Sequence, residues 1–208
     1  MAARLDARRL PPPSITLPLA QIGLKRGSDM TEAAEVDAGL RQSREQTVLA
    51  HLEAENRQDV AATLATFKPG AARTELPGEV ADGPDAVAAS YRELFTALPD
   101  MHFDIKPGSL CHHGDRVMTE TCVTGTHRGP FRGLPPTGRR LEWPMLLIFQ
   151  FDGPDLVSER VYYDRLSLFI QLGVAREPNT PTGRIMTLLN HPVTVARAAL
   201  RSRRIDDS

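Results

Sequence analysis

A change of hydrophobic period near Met101 constrains this chain more than any other feature. Before that point apolar residues recur at helical spacing. Val87, Tyr91, Leu94, Phe95 and Leu98 form the strongest amphipathic stripe, opened by Gly83-Pro84 and closed by Pro99. After it the period is two: Met101, Phe103 and Ile105 alternate with polar neighbours, and residues 117–126 are rich in β-branched side chains. Residues 139–151 put Leu141, Trp143, Met145, Leu147 and Phe149 on one face, and Asp152-Gly153-Pro154-Asp155 turns the chain into a further strand over 156–164. Helices followed by a run of strands predict an α+β fold, with helices packed on one face of an antiparallel sheet.

Two shorter helices precede the stripe. Ser43 with Gln46 matches a capping box, and Val48, Leu49, Leu52 and Asn56 follow on one face; Val60, Leu64 and Phe67 mark the second helix, ended by Pro69-Gly70. Order is therefore expected to begin near Ser43. Residues 1–38, with Pro11-Pro12-Pro13 and no sustained period, read as a flexible leader without a clear cleavage site. Residues 39–175 read as the folded domain. Residues 176–208 read as a basic, partly helical tail, and its arginines Arg197, Arg201, Arg203 and Arg204 as a solvated helix face rather than a membrane anchor.

Composition narrows the function classes. With 25 Lys+Arg against 26 Asp+Glu, the formal net charge is -1, so no global field draws the protein to nucleic acid or anionic lipid. No run is long and apolar enough for a membrane span. Two cysteines, Cys111 and Cys122, make no disulfide framework, which points to the cytoplasm. His112 and His113 are adjacent and diverge, and His51 and His102 have no ligand at suitable spacing, so no metal site is expected.

One block is specific. The run from Gly125-Thr126-His127-Arg128-Gly129 through Gly133-Leu134-Pro135-Pro136-Thr137-Gly138-Arg139 resembles the SnoaL-like polyketide cyclases, or ester cyclases, of the nuclear transport factor two superfamily. Ile148-Phe149-Gln150-Phe151, Tyr162-Tyr163-Asp164 and Gln171-Leu172-Gly173 extend the resemblance, which covers about residues 43–175. It implies a cone, in which a curved antiparallel sheet wraps around the N-terminal helices in the order α-α-β-α-β-β-β-β. It also implies an apolar pocket at the open end and a homodimer.

The activity so implied is cofactor-independent acid/base chemistry, an aldol or proton-transfer step on a small hydrophobic carbonyl compound. The alternatives are a ketosteroid-isomerase-like proton shift, or a non-catalytic ligand-binding or assembly module. Asp164 matches the family's acid/base aspartate, while its position at a strand-to-helix junction equally suits a helix cap. Period two puts Tyr162 and Arg160 on its face, Tyr162 either as a donor to an enolate or as a tyrosine packed in the sheet, and Arg160 either as a partner of a carboxylate or enolate or as a residue of the pocket rim. Gln150 stands where better-known members have histidine; it can bond a carbonyl but exchanges no proton. Trp143, Tyr91 and His127 complete the expected pocket set, His127 chiefly in a structural role. No cofactor or metal is called for.

Overall fold

The structure is a computed structural model that describes the backbone of residues 27–106 and 108–206. The expected leader lies outside the described residues as far as position 26. From Ala38 onward the described residues form one compact unit.

Helix α1 spans Gly27–Asn56. It starts well before the expected Ser43, which lies inside it with its carbonyl accepting from Thr47 Oγ1. The segment ahead of Ser43 lacks an apolar stripe but is rich in alanine and glutamate, whose intrinsic helix propensity needs no amphipathic pattern. The buried face also differs from the expected one. Leu49 is exposed, whereas Val48, His51, Leu52 and Glu55 point inward at the i, i+3, i+4, i+7 spacing.

Helix α2 (Val60–Ala65) is capped by Asp59, and α3 (Pro84–Ala97) starts with proline at its first turn. Between them lies a hairpin, β1 (Arg73–Leu76) and β2 (Glu79–Asp82), of which only one strand was expected. Strands β3 (His102–Asp104), β4 (Cys111–His113), β5 (Arg116–Thr126), β6 (Arg140–Asp152) and β7 (Asp155–Tyr163) follow, then α4 (Arg165–Leu172), α5 (Pro181–Asn190) and α6 (Pro192–Asp206).

The sheet runs β2-β1-β7-β6-β5-β3, with β4 also on β5. It is antiparallel except that β1 pairs with β7 in parallel, Thr74 opposite Glu159. Those two strands are far apart in sequence, so no hairpin fixes their relative direction. On β6, Leu141, Trp143, Leu147, Phe149 and Phe151 face inward against α1 and α3. Each large side chain so buried contributes about 1.5–3 kcal/mol.

Side-chain amides extend the ladder where strands stop. Asn56 exchanges two hydrogen bonds with Phe103, at 2.7 and 3.2 Å, docking the end of α1 on β3. Gln171 of α4 does the same to Glu142 of β6, accepting from its N–H and donating to its carbonyl, both at 2.8 Å. Glu142 lies beyond the last β6–β7 pair, Met145 with Tyr163. Gly173 ends α4 in a left-handed conformation, φ 81°, which glycine adopts without strain.

Candidate functional site

Two buried polar groupings stand out against the apolar core. The first surrounds a cavity of about 60 Å³ enclosed by α3, α4, β3, β6 and the loop after β5. Its wall is largely apolar, with Leu94, Leu98, Phe103, Leu141, Leu168 and Leu172 contributing. On three lining residues a polar atom is buried without a hydrogen-bond partner: His127 Nε2, Trp143 Nε1 and Arg132 Nε. Indole and guanidinium nitrogens can only donate. His127 donates as well, because the Thr137 N–H occupies its Nδ1 at 3.1 Å and leaves the proton of the neutral ring on Nε2. Burial, the largest influence on His127, holds its pKa below its ordinary value, so the ring is neutral.

The loop that carries two of these donors is pinned at one end and strained at the other. Arg128 and Gly129 both donate to the Ala97 carbonyl, and a Cβ on Gly129 would sit 2.2 Å from the Thr96 oxygen, so only glycine permits that approach. Arg132 has φ 51° and stacks over Phe131, with its backbone N–H on Glu93 and its guanidinium paired to Glu79.

The second grouping lies in the core. His51 and Glu55 of α1, Tyr91 of α3 and Glu159 of β7 are all more than nine-tenths buried. Thr66 spends its hydroxyl proton on the Thr63 carbonyl, so it accepts from His51 Nδ1 at 2.6 Å and fixes a proton there. The other ring nitrogen, Nε2, faces Tyr91 Oη at 3.2 Å, Glu55 Oε1 at 3.5 Å and Glu159 Oε2 at 3.6 Å. Tyr91 donates to Glu159 Oε2 at 2.9 Å. Burial alone would lower the His51 pKa, but Glu55 and Glu159 outweigh it and raise it to about 10. Burial, and then the Glu159 charge, push Glu55 upward, and burial raises the Tyr91 hydroxyl well above its usual value.

The SnoaL-like polyketide cyclase family model matches residues 45–172, more than half the chain. The chain belongs to this family. Solved structures of similar fold include IdmH from Streptomyces antibioticus, at 27% identity and TM-score 0.52, covering 63% of this chain and 99% of that one. TsrD from Streptomyces laurentii shares 25% identity at TM-score 0.56, covering 64% and 97%. A SnoaL-like protein from Jannaschia sp. CCS1 shares 20% identity at TM-score 0.57, covering 65% and 94%, and shows the same fold. No curated protein matches.

Within this SnoaL-like frame the residues singled out from sequence separate. Trp143 and His127 line the cavity. Tyr91 belongs to the second grouping. Gln150, Arg160 and Tyr162 share the outer parity of β6 and β7: Gln150 accepts from Arg116 at 2.8 Å, Arg160 pairs with Glu75 at 2.6 Å, and Tyr162 is 49% exposed. Asp164 is exposed and caps α4, its Oδ1 accepting from Leu166 and Ser167 N–H. Glu159 was passed over, although it alternates with Val161 on the inward parity, and Glu55 stands one helical turn after His51. Among the described residues no helix is long and apolar enough to cross a membrane.

Proposed function

We propose that this SnoaL-like protein takes an apolar carbonyl compound into the cavity behind α3 and polarises its oxygen with the His127 and Trp143 N–H groups. The observation that carries this reading is the coincidence of three unpartnered buried donors on residues lining one apolar cavity. An unsatisfied buried donor costs about 1–3 kcal/mol, and a bound acceptor oxygen would remove that cost. A neutral imidazole donor is suited to an enolate, since it stabilises developing negative charge without first giving its proton away. The free volume admits a few waters; a ligand with rings enters when the loop bearing Phe131 and Arg132 swings outward.

Withdrawal of the substrate's acidic proton needs a base, and Asp164 follows the lining residue Tyr163 with its Oδ1 already engaged in the cap. Its remaining oxygen is the proposed base, which makes the reaction a cofactor-independent aldol or proton-shift step of cyclase type. The exposed, capping position of Asp164 favours a second reading, a carrier that binds the same ligand without turning it over. Deuterium uptake from heavy water by a panel of cyclic β-dicarbonyl compounds separates the two. Asparagine caps helices as well as aspartate does, so Asp164→Asn removes the base and keeps the fold. Uptake catalysed by wild type and lost in that variant supports the enzyme; ligand binding with no uptake supports the carrier; neither binding nor uptake by any panel member refutes both. A homodimer, proposed from the family, is checked by light scattering. Free Cys111 and Cys122 support a cytoplasmic setting.

A further inference from the structure

We propose that His51 Nε2, Glu55 Oε1, Glu159 Oε2 and the Tyr91 oxygen form a closed four-coordinate site for a zinc ion. The three side chains with ligand chemistry converge so that their donor atoms lie within 4.8 Å of one another, inside the core. A tetrahedral zinc with bonds of about 2.0–2.1 Å separates neighbouring ligand atoms by roughly 3.3 Å. The four measured edges, 3.2, 3.5, 3.6 and 2.9 Å, bracket that value.

The contacts of Nε2 are poor hydrogen bonds and good ligand-to-ligand separations. A buried imidazolium facing two carboxylates should close to about 2.7–2.9 Å, and here it stands off both. Thr66 meanwhile performs the outer-shell task typical of a ligating histidine, holding the Nδ1 proton so that the Nε2 lone pair points at the ion.

A second, independent observation comes from Glu55. It is 2% exposed and its Oε2 has no hydrogen-bond partner, so the chain leaves this carboxylate under-served, and a cation at Oε1 would offset the charge that both oxygens share. Charge argues the same way. Two carboxylates against one imidazolium leave a net negative charge in the dry interior, whereas two carboxylates, a neutral imidazole, a divalent ion and Tyr91 bound as a neutral phenol, its proton kept in the hydrogen bond to Glu159, leave none. Binding transfers the Nε2 proton to solvent and changes no oxidation state. With four protein donors and no open position the ion would be structural, joining α1, α3 and β7, and it would enter as the chain folds or opens.

The test uses the full chain, refolded without and with zinc, and then with cobalt(II) as a spectroscopic stand-in. About one zinc per chain should survive gel filtration, the thermal midpoint should rise with zinc, and cobalt should give the intense visible bands of four-coordinate geometry. All three should vanish in Glu159→Gln and in Glu55→Gln. Retention of zinc by both folded variants, or a pale six-coordinate cobalt spectrum in wild type, would place the ion on surface histidines and overturn the proposal, as would absence of bound zinc. If both variants fail to fold, the wild-type cobalt spectrum decides alone.

Discussion

The two buried polar groupings of this protein solve opposite problems with similar side chains. Around His51 the polar residues of α1, α3 and β7 face one another, and all but Glu55 Oε2 meet a partner from the chain. Around His127 the donors face an apolar cavity and answer nothing inside the protein. The first arrangement contributes to stability and the second draws on it, which is the expected division between a structural core feature and a binding site. Burial alone does not separate them, since His51 and His127 are both at most 1% exposed. The difference lies in whether the partner belongs to the chain.

Substitutions that delete one polar group should therefore have opposite effects in the two places. Glu159→Leu, which strands Tyr91 without its acceptor and leaves His51 with Glu55 alone, is expected to cost about 3–5 kcal/mol in urea unfolding. A loss below 1 kcal/mol would erase the contrast. Gly129→Ala forces the loop away from the Thr96 carbonyl and should cost about 2 kcal/mol or more, while leaving the His51 grouping intact by NMR of its slowly exchanging Nδ1 proton. Asp164→Ala should lose about 1 kcal/mol of capping and Asp164→Asn almost nothing, measured by thermal melts. Trp143→Phe removes an unanswered N–H and is expected to leave stability within about 1 kcal/mol of wild type, yet weaken a bound carbonyl ligand roughly tenfold by calorimetry. A large loss of stability in Trp143→Phe would mean that the indole has a partner within the protein.

The fold was legible because it rests on periodicity. The α3 stripe and the long β5–β6–β7 meander appear where alternation and turn residues put them. The hairpin β1–β2 and the short β4 escaped because four and three residues carry too little pattern to declare a period. Half of the cavity was legible through the motif that holds His127 and through the Trp143 parity. The rest was not, because parity was counted from Asp164, and in β7 that parity faces outward. Glu159 and Glu55 were hidden for a different reason. A charged residue on an inward position reads as an interruption of the apolar stripe until the element opposite supplies its partner, and Glu159 lies more than a hundred residues from Glu55.

The Gln171 amide has a consequence for how the protein behaves in a crowd. Beyond the end of β7, β6 continues past its last strand partner on that side, and such a margin invites strands from other chains. At Glu142 a side chain impersonates the missing neighbour, and two residues further on Pro144 offers no N–H to recruit one. The sheet margin closest to the cavity is thus shielded from templated aggregation by a single glutamine carried on a separate helix, and unwinding α4 would uncover it.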